Sequence, residues 1–176
     1  MPKIAFIDLD GTVCNNQKRF EQATHKGKID WEIAFDPLLL DLDELIVAAD
    51  QTIEALAAED WTIIYLSSRP ENLQRATKNW LKRHGLAQHR LVLKPQHARR
   101  VNTPKWKASV VCTLGAKAEQ VLFVDDDTQN VVAVRSLWRV KVGKGKLQTI
   151  SSLELARKTI IAGATVTTLE IDNFGG

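Results

Sequence analysis

Short apolar runs alternate with segments of helical period along most of this chain, and that alternation limits the fold more than any other feature. Lys3–Ile7 and residues 61–66, 91–93, 121–124 and 139–142 read as strands. Between them, Leu42, Leu45, Ile46, Ala49, Ile53, Leu56 and Ala57 recur at helical spacing and predict a helix over 38–58. Further helices are expected from Pro70 to His84 before Gly85, over 105–114 before Gly115, and over 130–136. A last helix over 152–162 and a strand over 165–171 complete the reading. Strands that are apolar without alternation are covered on both faces, which predicts an α/β, Rossmann-like, doubly wound parallel sheet. With 176 residues and 44% hydrophobic content, one domain spanning 1–176 with a single core is expected.

The composition excludes a disordered chain, and no apolar run approaches the ~18 residues of a membrane span. Two cysteines, Cys14 and Cys112, cannot build a disulfide scaffold, and neither sits in a metal-type Cys/His spacing. Met1-Pro2-Lys3 leads straight into the first strand, so no leader is expected and a reducing cytoplasm is the predicted setting. The net charge of +3 conceals an uneven distribution. Residues 72–118 carry eleven of the 24 Lys/Arg and none of the 21 Asp/Glu, so a basic block stands beside an acidic remainder. Such a block suits either a solvated surface or a face turned toward an anion.

In open α/β sheets, ligands lie beyond the carboxyl ends of the strands. Three predicted strands end in polar groups: Asp8-Leu9-Asp10-Gly11-Thr12, Ser67-Ser68-Arg69 and Asp125-Asp126-Asp127. Gathering these carboxylates unpaired would be costly, and a divalent cation removes the conflict. Hard oxygen ligands favour Mg²⁺.

On these residues the chain resembles the phosphatase branch of the haloacid dehalogenase (HAD) superfamily. The apolar strand before Asp8-x-Asp10-Gly11-Thr12 matches its first motif, the strand ending in Ser67 its second, and the strand ending in Asp125-Asp126 its fourth. For the family's lysine, Lys94, Lys105 and Lys107 are candidates; Lys107 is favoured, at the first turn of a helix that buries Val110, Val111 and Leu114, with Lys105 second. The resemblance implies that Asp8 attacks phosphorus and forms an aspartyl-phosphate. Asp10 would protonate the leaving oxygen and then deprotonate water, a role served by a carboxyl whose pKa neighbouring carboxylates raise. It implies Mg²⁺ held by Asp8, the Asp10 carbonyl and Asp125 or Asp126, whose shares stay open. Ser67 and the lysine would stabilise phosphoryl charge, with Gly11, Thr12, Ser68, Arg69 and Lys105 as substrate contacts. Asn130 is either a metal-site polar group or a helix cap, Asp127 a first-turn acid, and Cys14 a small core residue. The acid at Asp10 argues for a phosphatase over a dehalogenase.

Only some fifty residues separate the first two motifs, so any cap is small or absent, with a short cap-like insertion expected within 14–40. Ser67-Ser68-Arg69 and Asp125-Asp126-Asp127-Thr128-Gln129 are similar to the Ser-Gly-Arg and Asp-Asp-Arg-Thr-Gln of 3′-phosphatases of the bacteriophage polynucleotide kinase type, departing at Ser68 and Asp127. No P-loop for a kinase half is present. The implied partner is a phosphorylated substrate, a nucleic-acid end or nucleotide, with Arg99, Arg100, Lys105 and Lys107 tracking phosphates. Trp80 is expected in the core, and Trp106 either there or stacked on a base. No membrane partner is expected, and a homo-oligomer is possible but not indicated. Two other readings stand beside this one: a phosphatase of a small metabolite, and a non-catalytic nucleic-acid-binding module.

Overall fold

The first apolar run forms the middle of the sheet, because its side chains alternate between two buried layers. The computed structural model describes residues 2–143 and 147–153. In chain order the elements are β1 (Lys3–Ile7), β2 (Cys14–Asn15), α1 (Gln17–Gln22), β3 (Thr24–His25), β4 (Lys28–Ile29), α2 (Trp31–Ala34), β5 (Glu44–Leu45) and α3 (Ala49–Ala58). These are followed by β6 (Trp61–Pro70), α4 (Gln74–Arg83), β7 (Arg90–Lys94), α5 (Thr103–Gly115), β8 (Gln120–Val124), α6 (Thr128–Lys141) and β9 (Leu147–Ile150). The central sheet has the order β7-β6-β1-β8-β9 with every pair parallel.

Ala5 and Ile7 of β1 join Ile53, Leu56, Tyr65, Trp80, Leu122 and Val124 in one core layer. Phe6 faces the opposite layer, with Ile64, Leu66, Trp106, Val111, Phe123, Val134 and Trp138. Full burial of each large apolar side chain contributes about 1.5–3 kcal/mol, so both faces of the sheet are strongly held. The chain moves outward from β1 through β6 to β7, then returns across β1 to β8 and β9. The reversal of direction lies at the carboxyl end of β1, where doubly wound sheets form their crevice.

Three element expectations are corrected. The region 38–58 is not one helix. Leu39–Leu42 is a 3₁₀ turn, β5 follows, and α3 starts only at Ala49, because Asp43 is pulled inward to a buried ion pair. Residues 139–142 are no strand. They extend α6 or lie at its end, since Val134 and Trp138 continue a helical stripe against α5, and the fifth strand is β9. Pro70 ends β6 and precedes a 3₁₀ turn, Glu71–Leu73, so α4 begins at Gln74. The helix and strand expected over 152–162 and 165–171 lie outside the described residues, apart from Ser152 and Leu153.

Between β1 and α3 the chain builds a small module. Its entry and exit pair as β2 and β5, with Cys14 opposite Leu45. Within it, β3 and β4 form a tight hairpin, and α1 and α2 pack beside it.

Candidate active site

Parallel register brings the strand ends together. Ile7 lies level with Val124 and Tyr65, so Asp8 and Asp125 follow side by side, with Ser67 across on β6. The Asp8 N–H donates to the Val124 carbonyl at 2.9 Å. The fourth group arrives on α5. Asn102 caps that helix by accepting from the Lys105 amide at 3.0 Å, and Pro104 stands in its first turn. Lys107 then enters one turn in, 1% exposed.

The Lys107 ammonium lies between two carboxylates, 2.7 Å from Asp8 Oδ1 and 2.7 Å from Asp125 Oδ2. Burial opposes its charge, but Asp8 and Asp125 outweigh that and raise its pKa, so it is a fixed cation. Burial, helped by Asp125 and Asp10 and opposed by Lys107, pushes Asp8 up to about 7. Asp125 is fully buried, and its Oδ1 accepts from Asn130 Nδ2 at 2.9 Å and the Asp127 amide at 3.0 Å. Asp126 is exposed, and one of its oxygens receives the Thr12 hydroxyl at 3.2 Å. Gly11 closes this corner at φ +84, where a Cβ would lie 2.7 Å from the Asp126 carboxyl carbon.

Asp10 occupies a different environment. Arg69 donates to it through Nε at 2.8 Å and Nη2 at 2.7 Å, and Arg19 adds an ion pair. The same two arginines reach Asp43 at 2.6 Å and 2.8 Å, forming a buried quartet of two cations and two anions. Burial alone would raise Asp10; the charge and hydrogen bonds of Arg69, then Arg19 and Asn16, hold it well below the usual carboxylate range. The expected upward shift from neighbouring carboxylates is therefore reversed. A register shift in β6 between Ser67 and Pro70 lifts Ser68 and Arg69 out of the ladder, and the bulged strand aims Arg69 inward.

Arg69, expected at the substrate, has no exposed surface and is engaged by Asp10 and Asp43. Thr12 is likewise buried and committed to Asp126, donating to its carboxylate and accepting from its amide. Ser67 is buried, with its hydroxyl accepting from the Arg69 amide at 3.2 Å, while Ser68 is half-buried. Lys105 is exposed, and Lys94 donates to the Val101 carbonyl at 2.6 Å, so of the three lysines Lys107 is the one beside Asp8. Asp127 caps α6 through the Gln129 amide, and Asn130 is buried against Asp125. Trp80 and Trp106 both lie in the core, Trp80 donating to the Asp43 carbonyl at 2.9 Å. Burial pushes the Cys14 thiol well up, so it is no nucleophile. Arg19 and Asp43 were not singled out by the sequence. Arg19 stands in a polar stretch, residues 15–28, that carries no helical or strand period, and Asp43 inside an apparent helix.

Among the described residues, two groups have the geometry of a cation site, Asp8 with Asp125 and Asp126, and Asp10 with Cys14 and Asp43, the ligand atoms in each within 4.8 Å. The second is already neutralised by two arginines. The first has one lysine for three carboxylates, all its donors are oxygens, and the buried Asn130 Oδ1 beside it has no partner. That donor set fits Mg²⁺.

A family model, the LNS2 domain of PITM 1-3, matches residues 33–127. No curated protein matches the sequence. Among solved structures, a chain of the Pnkp1/Rnl/Hen1 RNA repair complex is 17% identical with a TM-score of 0.54, over 86% of this chain and 43% of that one. This chain thus spans less than half the length of that relative. The HAD domain of effector protein Lem4 from Legionella pneumophila is 14% identical with a TM-score of 0.59, covering 94% of this chain and 96% of that one. A D,D-heptose 1.7-bisphosphate phosphatase from B. bronchiseptica, complexed with magnesium and phosphate, is 13% identical with a TM-score of 0.54, over 93% of this chain and all of that one. At these identities the likeness establishes the fold, which is that of the HAD-type phosphatases.

Proposed function

This chain belongs to the family of the PITM 1-3 LNS2 domain, and on its HAD-type fold and site we propose that it is a Mg²⁺-dependent phosphomonoester hydrolase acting on a nucleic-acid or nucleotide phosphate. The observation that carries the reading is Lys107 bridging Asp8 and Asp125 at 2.7 Å each, at the carboxyl ends of adjacent parallel strands. Asp8 is the nucleophile: Lys107 fixes its Oδ1, and among the described residues nothing hydrogen-bonds its Oδ2, which is left to attack phosphorus. As this bond forms, the bond from phosphorus to the ester oxygen breaks, so the alcohol departs with a proton and an aspartyl-phosphate remains on Asp8.

Asp8 and Asp126 would hold Mg²⁺, with Asp125 orienting the site, because the two Asp125 oxygens already accept from Lys107, Asn130 and the Asp127 amide. When bound, the ion neutralises phosphoryl charge. Lys107 supplies a second, permanent cation in a buried setting, where it acts strongly. Arg69 and Arg19 keep Asp10 ionised but also make it a weak base, so it takes a proton from the hydrolytic water only as their hold on it loosens. For Asp10 to deliver a proton to the leaving oxygen, the incoming phosphate must compete for those arginines. Ser67 is a phosphoryl contact once its hydroxyl turns from the Arg69 amide. Ser68 follows Ser67 and is half-buried, Lys105 is exposed on α5, and His97, Arg99 and Arg100 sit exposed between β7 and α5.

The similarity to a chain of an RNA repair complex and the basic block both favour a polynucleotide substrate over a small metabolite. No helix among the described residues is long and apolar enough to cross a membrane, and Cys14 and Cys112 are both free thiols. The test is a phosphate-release panel with 3′- and 5′-phosphorylated oligonucleotides, nucleotides and sugar phosphates, with and without Mg²⁺. The reading requires Mg²⁺-dependent release from oligonucleotides that Asp8→Asn abolishes. Release unchanged in Asp8→Asn contradicts the mechanism, and preference for sugar phosphates contradicts the substrate.

A further inference from the structure

The module between β1 and α3 carries an aromatic group that the hydrolysis itself does not use. Trp31 opens α2 with 55% of its surface exposed, while the other four tryptophans are wholly or partly buried. It is not loose. Its indole stacks on Phe35 with centroids 5.6 Å apart, and Phe20 meets it edge-on at 6.0 Å. Asp30 caps α2 through the Glu32 amide at 2.9 Å and the Ile33 amide at 3.3 Å, fixing the helix on which the ring stands. Beside it, β3 and β4 pair through a two-residue turn in which Lys26 (φ 50) and Gly27 (φ 74) are both left-handed, the geometry of a tight hairpin. That hairpin displays His25, Lys26 and Lys28 and contains no acid between Thr24 and Ile29. His25, Lys28, Ile29, Asp30, Trp31 and Glu32 line a shallow depression of about 500 Å³.

The platform is joined to the catalytic groups. The Arg19 guanidinium stacks 4.9 Å from the Phe20 ring, donates to the Ala34 carbonyl at the end of α2 at 2.8 Å, and pairs with Asp10. One buried side chain therefore sets both the position of α2, one helical turn from Trp31, and that of a carboxylate two residues from the nucleophile.

We propose that Trp31 and the His25–Lys28 hairpin form a subsite for single-stranded nucleic acid, the indole stacking on a base near the terminal phosphate held at Asp8. This rests on the hydrolase reading above and specifies its substrate as a single strand. A rigid, open aromatic face beside clustered cations is the combination that holds single strands without reading sequence, since every base offers a π-face and every linkage an anion. The acids here do not oppose it equally: the Asp30 carboxylate is engaged in capping, which leaves Glu32 as the one acid facing the depression without such a task.

Two measurements test the subsite separately from the chemistry. In turnover, the ratio of kcat/KM on a 3′-phosphorylated single-stranded oligonucleotide to that on p-nitrophenyl phosphate is compared for the native protein, Trp31→Ala, Trp31→Phe and a Lys26→Ala/Lys28→Ala pair. Trp31→Ala is expected to lower the ratio by about 5- to 150-fold through KM, the range of one lost base stack, with Trp31→Phe recovering most of it. The lysine pair, which disturbs no packing, lowers the ratio and flattens its salt dependence. In binding, Asp8→Asn protein with Trp31 intact or replaced is titrated with unphosphorylated oligonucleotide. Affinity that falls on loss of Trp31 supports the subsite even where no turnover is found, a result that would instead remove the hydrolase reading. An unchanged ratio together with unchanged affinity overturns the subsite. Concentration-dependent self-association abolished by Trp31→Ala, without any effect on oligonucleotide, overturns it in favour of a contact between copies of the chain.

Discussion

Two buried charge clusters meet at Asp8 and Asp10, and their balance differs. Burial of Asp8, helped by Asp125 and Asp10 and opposed by Lys107, makes folding favour the protonated carboxyl. A group whose folded pKa is raised gives stability below its unfolded value, and that stability is lost as pH rises through the folded value. In metal-free protein, Asp8 therefore destabilises the fold as pH climbs from about 4 to about 7. In chelator, Asp8→Asn should raise Tm by a few degrees at pH 8 and by much less at pH 5, followed by calorimetry. Mg²⁺ should in turn raise the native Tm more at pH 8 than at pH 5, because the ligand must lose its proton first. Around Asp10 two arginines match two acids. Arg19→Met leaves a buried carboxylate short of a cation and should cost about 3–5 kcal/mol in chemical denaturation. Arg19→Met combined with Asp43→Leu should recover most of that stability without restoring turnover, since Asp10 still lacks one of its two arginines.

Elements carry the site only as far as their ends are fixed. The α5–α6 pair leaves no slack: a Cβ on Gly115 would meet Val121 at 3.0 Å and Trp138 at 3.1 Å. Gly115→Val is expected to destabilise by about 1–3 kcal/mol from overpacking. It should also reduce kcat, because α5 carries Lys107, and both effects are read from one preparation by denaturation and initial rates. Which elements were legible in the sequence follows from the same physics. β1, β6 and β8 are buried on both faces, so uninterrupted apolar runs mark them, and the carboxylates or hydroxyl at their ends mark the crevice. Residues 38–45 mimic helical period because Leu40 and Leu45 pack inward at loop spacing, while the inward turn of Asp43 depends on arginines distant in sequence. Residues 139–142 alternate like a strand, yet the stripe of Val134 and Trp138 continues the helix through them and leaves Val140 83% exposed. Arg19 has no local signal at all, since its partners Asp10, Asp43 and Ala34 come from three different segments. The inward aim of Arg69 depends on a bulge that residue order alone does not announce.

Across the molecule, the acids that would hold the metal and the cations that would attract substrate occupy different places. The acids sit at the ends of β1 and β8, while Arg99, Arg100 and Lys105 lie exposed past β7, and Trp31 with the basic β3–β4 hairpin stands on the module between β1 and α3. A substrate that reaches several exposed cations should be sensitive to salt, whereas one that reaches only the crevice should not. From about 50 to about 200 mM salt, kcat/KM on a phosphorylated oligonucleotide should fall at least ~10-fold, while that on p-nitrophenyl phosphate changes less than ~2-fold. Equal sensitivity of the two would remove the basic surface from substrate binding. Whether Asp8 is the nucleophile is decided by an acid quench during turnover. With Mg²⁺ and radiolabelled phosphate on the substrate, the label should appear covalently on the peptide that contains Asp8, and Asp8→Asn should show none. Turnover that releases labelled phosphate while leaving that peptide unlabelled at every quench time would contradict the account.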